Sequence, residues 1–338
     1  MPRAKKKNEI KPVDSVQNTL APSNSQTFLP ANPLPKIEQQ RQKIYITGAT
    51  GKLGREVIKL ITSAIPLVRK PSGLKNEIVS DFSVESLSKI LSDADILIHL
   101  AGSVNTQNPK ELQESNVELT KRIVNSLPEK TKVIFASSIS VYGKYPKQNP
   151  ANEETETNPD SDYSRSKLEA ERIVRKRANC VILRIGTIYG PEFSDYFKVL
   201  QMIEKGKMKI IGNGNNHIPF VHVSDVALAI SNSLGNATGT FVLVGEQKTQ
   251  KEIFGIAAKE LSVPEPKSSI PQSLALLTLQ FRKLLSSKQS EFTAEHILVL
   301  SCERQFNYAK SRKDLSFSPR SIEEGIKEMV TCYKKLRL

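Results

Sequence analysis

The 338-residue chain contains no tryptophan and only three cysteines, and no apolar run approaches the roughly 18 residues that a membrane-spanning helix requires. Three cysteines are too few for a disulfide scaffold, and no CxxC spacing indicates a zinc site. Hydrophobic residues make up 38% of the chain, which excludes an intrinsically disordered protein. We therefore expect a soluble globular protein of the cytoplasm, with no transmembrane segment and no metal site.

Acidic residues are in the minority, 35 against 49 basic ones, and the formal net charge is +14. Residues 1–42 contain six prolines and show no sustained helical or strand periodicity, so we interpret them as a disordered basic tail. The remaining positive charge is spread along the chain without a basic stripe interleaved with aromatic residues. We expect a small-molecule substrate and no specific nucleic-acid partner.

From Lys43 onward, short β-rich runs alternate with amphipathic stretches. Strands that are apolar throughout, with a helix after each, are typical of βαβ units, because helices then cover both faces of a parallel sheet. The sequence predicts an α/β protein with a doubly wound parallel sheet over residues 43–190. A smaller, mostly helical C-terminal substrate lobe is predicted over residues 191–338, with part of the chain returning to the core.

A glycine-rich turn follows the first strand-like run, Ile44–Ile46, and precedes a helix start. In this context Gly48 permits a tight turn, Gly51 lets the backbone approach a pyrophosphate, and Gly54 permits close packing of helix on strand. A dinucleotide would place its phosphates at the N-terminus of that helix. The predicted cofactor-binding residues of the turn are Gly48, Thr50, Gly51, Lys52, Leu53 and Gly54.

The run Thr47–Gly54 resembles the TGxxGxxG motif of the extended short-chain dehydrogenase/reductase family, which includes the NAD-dependent epimerases and dehydratases. Further segments resemble this family in the same chain order. They are Asp81–Phe82, Asp95–Gly102, Asn116, the serine strand Phe135–Gly143, the YxxxK motif Tyr163–Lys167, Leu183–Arg184 with Tyr189–Pro191, and Phe220–Ala227. The C-terminal stretches Arg304–Lys310 and Ile322–Ile326 look most like the hydroxysteroid dehydrogenase and dihydroflavonol reductase branch.

This resemblance implies a Rossmann-type fold and an NAD(P)-dependent dehydrogenase, reductase or epimerase. It also implies contacts with the cofactor beyond the glycine turn. Asp81 and Phe82 would lie against the adenine, and the strand end formed by Leu100, Ala101 and Gly102 would pass beside the cofactor. Lys167 would hydrogen-bond the nicotinamide ribose next to Tyr163.

Tyr163 and Lys167 are four residues apart, so they share one face of a helix. A tyrosine of ordinary pKa near 10 carries protons poorly at neutral pH, and we expect the nearby ammonium to lower that pKa. Ser138 provides a short hydroxyl that can hold a substrate oxygen as charge develops on it. The sequence therefore predicts Ser138, Tyr163 and Lys167 as the catalytic residues.

The predicted end of the second strand bears on the choice of cofactor. NAD enzymes usually carry an acidic residue there for the ribose 2′-hydroxyl, whereas this chain has Arg69 followed by Lys70. A cation suits a 2′-phosphate, and Lys52 in the glycine turn adds a second positive charge. We therefore favour NADP(H) over NAD(H), with Arg69 as a cofactor-binding residue.

Three functions stay open at this point. The first is an oxidoreductase that interconverts a secondary alcohol and a carbonyl on a small molecule. The second is a sugar-nucleotide epimerase or dehydratase with tightly bound NAD, although Ile218 stands where such enzymes often carry a phosphate-binding arginine. The third is a dinucleotide-binding assembly or sensor protein without turnover. We interpret His217 and His222 as structural, and the sequence leaves a homodimer open.

Overall fold

The structure, a computed structural model, describes residues 42–277 and 301–337. The tail predicted over residues 1–42 lies, apart from Gln42, outside the described residues. The strands are β1 Ile44–Thr47, β2 Ile65–Val68, β3 Ile78–Val79, β4 Ile96–His99, β5 Lys132–Ser138, β6 Cys180–Ile185, β7 Thr187–Tyr189, β8 Ile210–Ile211, β9 His217–Ile218, β10 Phe220–His222, β11 Gly239–Leu243, β12 Lys248–Thr249 and β13 Ser269–Ile270.

The helices follow the strands in regular alternation through the first half of the chain. They are α1 Lys52–Leu60, α2 Val84–Ile90, α3 Pro109–Leu112, α4 Leu119–Asn125, α5 Asp162–Val174, α6 Phe197–Glu204, α7 Val223–Asn232, α8 Gln250–Leu261, α9 Ala309–Asp314 and α10 Ile322–Arg337. A π-helical turn, Gln113–Glu118, joins α3 to α4, and short 3₁₀ turns span Ile139–Tyr142 and Ser194–Tyr196.

Seven strands form one sheet in the order β11-β6-β5-β4-β1-β2-β3, and every neighbouring pair is parallel. The chain leaves β1 toward one edge of the sheet and returns to β4 on the other side of β1, as in doubly wound folds. The predicted Rossmann-type fold is therefore confirmed. Ligands in such sheets bind at the carboxyl ends of the strands where the order reverses.

Residues of one strand alternate between two buried clusters, because successive side chains of a strand point to opposite faces. Ile44 and Ile46 of β1 pack in the cluster that also holds Val57 of α1 and Val226 of α7. Tyr45, between them, packs in the opposite cluster with residues of α2, α4 and α5. Helices thus cover both faces of the sheet, so a site is expected at the carboxyl ends of the strands.

A third buried cluster joins β7 and β10 to helices α6, α8 and α10. Gly325 lets α10 approach this layer, since a Cβ there would come within 2.0 Å of the Tyr189 hydroxyl oxygen. Through residues 42–277 and 301–337, no helix combines the length and the apolar character needed to cross a membrane.

Candidate active site

The carboxyl ends of β1, β2, β4 and β5 meet at one edge of the sheet because all four strands are parallel. The glycine turn follows β1, Arg69 follows β2, residues Leu100, Ala101 and Gly102 follow β4, and Ser138 ends β5. Helix α5, which carries Tyr163 and Lys167, packs against β5. The fold therefore brings the predicted cofactor-binding and catalytic residues to one edge.

The glycine turn has no room for side chains at two of its positions. Gly48 has φ +74°, and an added Cβ would lie 2.6 Å from the amide nitrogen of Ala101. A Cβ on Gly54 would lie 2.1 Å from the carbonyl oxygen of Gly48. Gly51 is the N-cap of α1 and, as a glycine, provides no side-chain cap for the first N–H groups of this helix. The free N–H groups and close backbone suit the pyrophosphate of a dinucleotide.

We expect Gly54→Ala to destabilise the protein by about 1–3 kcal/mol, because the new methyl group overlaps the Gly48 carbonyl. We also expect dinucleotide affinity to fall, because the glycine turn must move to relieve the overlap between the new methyl group and the Gly48 carbonyl. The measurements are thermal unfolding and a fluorescence titration with the dinucleotide. Gly235→Ala is the matched control, because a Cβ there meets its nearest atom at 3.7 Å. Unchanged stability and affinity in Gly54→Ala would show that the turn tolerates a side chain.

Around the turn, the other predicted cofactor residues serve partly structural roles. Leu53 and Leu100 pack against the cluster beneath β1, and the Thr50 carbonyl accepts a hydrogen bond from Arg55 Nε. The Lys52 ammonium lies 2.7 Å from an Asp195 carboxylate oxygen and over the Phe193 ring. Lys52 therefore joins the turn to the loop that precedes α6.

Arg69 is the first residue after β2, and its exposed guanidinium lies 5.9 Å from the centre of the Phe82 ring. Phe82 is buried with φ +59°, and Asp81 next to it is exposed. Hydrogen bonds from Ser83 hold the pKa of Asp81 below its usual range. Arg69 thus lies beside Phe82, with Asp81 next to it in the chain, and the contacts of these residues with an adenosine stay a prediction.

The catalytic candidates meet at the end of β5. Burial raises the pKa of the Tyr163 phenol, and hydrogen bonding with the nearby Ser138 side chain acts in the opposite direction with a smaller effect. The prediction from the sequence that the pKa of Tyr163 is lowered is therefore wrong. The physical reason is that the fold removes water from around the Tyr163 phenol. The Lys167 ammonium, meanwhile, donates a hydrogen bond to the carbonyl oxygen of Ala136 at 2.5 Å.

Lys167 is a buried cation, 7% exposed, whose Nζ also lies 4.4 Å from the centre of the Phe135 ring. Burial lowers its pKa to about 8, although the charge of Glu171 acts to raise it. At neutral pH the Lys167 side chain is therefore charged. Its electrostatic interactions with neighbouring groups are strong, because little water screens them.

A series of hydrogen-bonded, buried polar side chains lies beside Lys167. Of its members, only Asn116, which matches the asparagine of the family, stands out in the sequence. His99 accepts at Nδ1 from Thr47 Oγ1 at 2.7 Å and donates from Nε2 to Thr120 Oγ1 at 2.9 Å. This tautomer follows because the Thr120 hydroxyl itself donates to the Asn116 carbonyl oxygen. The Asn116 side chain donates to Ser166 Oγ, which ties the π-helical turn to α5.

The two histidines interpreted as structural have protein partners. His217 lies 2.9 Å from a carboxylate oxygen of Glu303, and His222 caps α7 by accepting from the Ser224 amide. Burial lowers the pKa of His222 to about 4. Ile218 is buried among the residues of the third cluster. Across the described ranges, no set of His, Cys, Asp and Glu is arranged to hold a metal ion.

Comparison with known proteins gives a family match and several relatives. The model of the NAD dependent epimerase/dehydratase family matches residues 44–245. The uncharacterized protein y4nG of Sinorhizobium fredii is 29% identical over 300 residues, which covers 81% of this chain and 74% of that one. The 3beta-hydroxysteroid-dehydrogenase/decarboxylase isoform 1 of Arabidopsis thaliana is 28% identical over 281 residues, covering 72% and 63%.

Among solved structures, the UDP-N-acetylglucosamine 4-epimerase from Bacillus cereus superposes with a TM-score of 0.68. The match covers 88% of this chain and 100% of the epimerase, at 21% sequence identity. At this level of identity the likeness concerns the fold.

Proposed function

The chain belongs to the NAD-dependent epimerase/dehydratase family of extended short-chain enzymes, and from this premise we propose that it is an NADP(H)-dependent oxidoreductase. It interconverts a secondary alcohol and a carbonyl on a small molecule. The observation that carries the proposal is the convergence of Ser138, Tyr163 and Lys167 beside the glycine turn. Binding a dinucleotide without turnover requires no such set of hydroxyl, phenol and ammonium groups.

Each of these groups has a distinct role. A dinucleotide held by the glycine turn and Lys167 would supply or accept the hydride at its nicotinamide C4. Tyr163 exchanges the proton with the substrate oxygen, and Ser138 holds that oxygen by a hydrogen bond while charge develops on it. The raised pKa of Tyr163 keeps the phenol protonated at neutral pH, ready to donate to a carbonyl oxygen. The charge of Lys167 stabilises the phenolate that this transfer leaves.

Selection of NADP(H) rests on Arg69. The family is NAD-dependent, and an NAD site ordinarily offers a carboxylate to the ribose hydroxyls at the end of the second strand. In this chain Arg69 directly follows the end of β2, and its exposed guanidinium lies close to the Phe82 ring. A guanidinium can bind a 2′-phosphate with charge-assisted hydrogen bonds.

An apolar or amphipathic substrate would meet apolar side chains on the loops that follow β4 and the 3₁₀ turn after β5. Val104 and Tyr145 on these loops are 76% and 69% exposed, among the most exposed large hydrophobic side chains of the described residues. Ile218 is buried in the core where sugar-nucleotide enzymes often place an arginine, and its neighbour His217 is paired with Glu303.

A sugar-nucleotide epimerase is the second candidate, favoured by the match to the NAD dependent epimerase/dehydratase family. The same Ser138, Tyr163 and Lys167 would act there, but the dinucleotide would stay bound between turnovers. The two candidates therefore differ in what the purified protein retains.

We expect the purified protein to oxidise NADPH with members of a ketone and aldehyde panel and to contain no stoichiometric dinucleotide. The measurement is steady-state turnover of NADPH and NADP against carbonyls and secondary alcohols, with UDP-glucose and UDP-N-acetylglucosamine in parallel. Dinucleotide released by denaturation is quantified in the same preparation. Retained NAD at one equivalent, with interconversion of a UDP-sugar and no net redox change, would replace the first candidate by the second.

A further inference from the structure

Helix α5 carries three chemically active side chains on one face, Tyr163, Lys167 and Glu171, spaced four residues apart. The roles of the first two are proposed above. Glu171 is fully buried, with no exposed side-chain surface, one turn beyond Lys167. A buried carboxylate is strongly unfavourable unless charges or hydrogen bonds compensate it, so its presence beside the site requires an explanation.

Glu171 has compensating partners from two strands. Ser137 Oγ donates to its Oε1 at 2.6 Å, and Arg184 donates from Nε and Nη2 at 3.0 and 2.9 Å. Arg175, the residue directly after α5, adds a contact at 3.3 Å. Burial acts to raise the pKa of Glu171, but the hydrogen bonds and charge of Arg184 hold it below its usual range. Glu171 is therefore an anion.

The groups that face Lys167 come from α5, β4 and β5. Strand β5 offers the Ala136 carbonyl oxygen and the Phe135 ring, neither of which is charged. Strand β4 offers His99, and burial together with the charge of Lys167 lowers its pKa to about 3, so it is neutral. On α5 itself Tyr163 is protonated, and Glu171 supplies the charge that favours the ammonium.

The same carboxylate also links the elements that carry the catalytic groups. Ser137 immediately precedes Ser138 on β5, and Arg184 lies on β6, the next strand of the sheet. The Glu171 carboxylate therefore fixes the helix turn that follows Lys167 to the strand end that presents Ser138. Arg184 extends the network by donating to the Tyr142 hydroxyl at 2.8 Å, in the 3₁₀ turn after Ser138.

We propose that Glu171 is a positioning residue of this site, which keeps the Lys167 ammonium charged and holds α5 in register with the end of β5 that carries Ser138. This inference rests on the proposed function of Tyr163 and Lys167. It adds a residue that acts through Lys167 and touches neither substrate nor cofactor.

The test is the pH dependence of dinucleotide affinity and of turnover in Glu171→Gln. In the wild type we expect both to fall as Lys167, whose pKa burial lowers to about 8, loses its proton. In Glu171→Gln this alkaline fall should occur about one pH unit lower, because a nearby opposite charge has been removed. Glu171→Asp, which keeps the charge, restores the wild-type position. Ser137→Ala loses a hydrogen bond to Glu171 but keeps the carboxylate, and its alkaline fall stays in place.

Unfolding by urea supplies a readout that needs neither dinucleotide nor substrate. Lys167 has a lower pKa folded than unfolded, so the free energy of unfolding rises with pH above the folded pKa. In Glu171→Gln that rise starts at a lower pH. The stability difference between wild type and Glu171→Gln should therefore narrow as the pH approaches 8 from below.

If Glu171 were merely structural, Glu171→Gln would lose the same amount of stability and the same fraction of turnover at every pH. The pH at which dinucleotide affinity and turnover fall would then be that of the wild type. That result overturns the inference. If Glu171→Gln does not fold because Arg184 is left unpaired, Glu171→Gln/Arg184→Gln is measured instead. Its alkaline fall should move in the same direction but by less, because the positive charge of Arg184 is removed together with the negative charge of Glu171. Turnover that survives in Tyr163→Phe would contradict the proposed function itself, independently of where the alkaline fall of dinucleotide affinity lies.

Discussion

Tyr163→Phe is expected to lower turnover by roughly a hundredfold to ten-thousandfold, the usual contribution of a positioned proton donor, and to leave dinucleotide affinity nearly unchanged. The lost hydroxyl is the proton carrier and bonds to Ser138, whereas the phenyl ring keeps most of the packing of the site. The measurements are kcat on the best carbonyl substrate and a fluorescence titration with NADPH.

Tyr333→Phe serves as the control for this prediction. Its hydroxyl donates to Glu204 at 2.8 Å, in the cluster around α6 and α10, so its loss should leave turnover unchanged. Turnover of Tyr163→Phe within tenfold of wild type, about 1.4 kcal/mol in the barrier, would mean that the catalytic assignment is wrong.

Arg69→Asp is expected to reverse the cofactor preference. A charge-assisted contact between guanidinium and phosphate contributes about 1.5–3 kcal/mol, so NADP affinity should fall roughly tenfold to more than a hundredfold. NAD affinity should stay the same or rise, because a carboxylate at this position can accept from the ribose hydroxyls. The measurement is a pair of dissociation constants for each protein by calorimetry, repeated at higher salt, which should weaken NADP binding to the wild type more than NAD binding.

Lys70→Asp is the matched control, since Lys70 is the next residue and is also exposed, and the charge change is the same. It should shift NADP affinity far less than Arg69→Asp does. If the wild type prefers NAD, or if Arg69→Asp changes both affinities equally, Arg69 lies away from the ribose and the NADP assignment is withdrawn.

The sheet and its glycine turn could be predicted because the information is local. All four residues of β1 are buried, as an uninterrupted apolar run of a parallel strand suggests. Gly48 and Gly54 stand where the structure has no space for a Cβ, and the motif spacing expresses that constraint directly. Strand and helix periodicity therefore predicted the architecture.

The surroundings of Lys167 could not be predicted, because they form only when distant segments come together. Thr47, His99 and Thr120 belong to β1, β4 and α4, and their hydrogen-bonded chain follows from the strand order of the sheet. Glu171 had one local signal, its position four residues after Lys167. Its link to Arg184 of β6 depends on tertiary packing.

Tertiary contacts bear on two expectations from the sequence. Lys52 was expected to add charge for the cofactor, and it pairs with Asp195, a residue 143 positions away. The pKa of Tyr163 was expected to fall beside an ammonium, yet burial raises it. Spacing shows which groups are close along a helix, but it does not show how much water the fold removes from them.

Deuterium transfer from C4-deuterated NADPH most directly tests the claim that Ser138, Tyr163 and Lys167 form an oxidoreductase site. The protein is incubated with an aryl ketone or with UDP-glucose, and the products are analysed by mass spectrometry. We predict deuterium on the carbinol carbon of the alcohol formed by the wild type, none in the UDP-sugar, and transfer at least a hundredfold slower with Tyr163→Phe, as expected for loss of a general acid. Transfer as fast in Tyr163→Phe as in the wild type, or UDP-sugar interconversion without any deuterium transfer to the ketone, would contradict that claim.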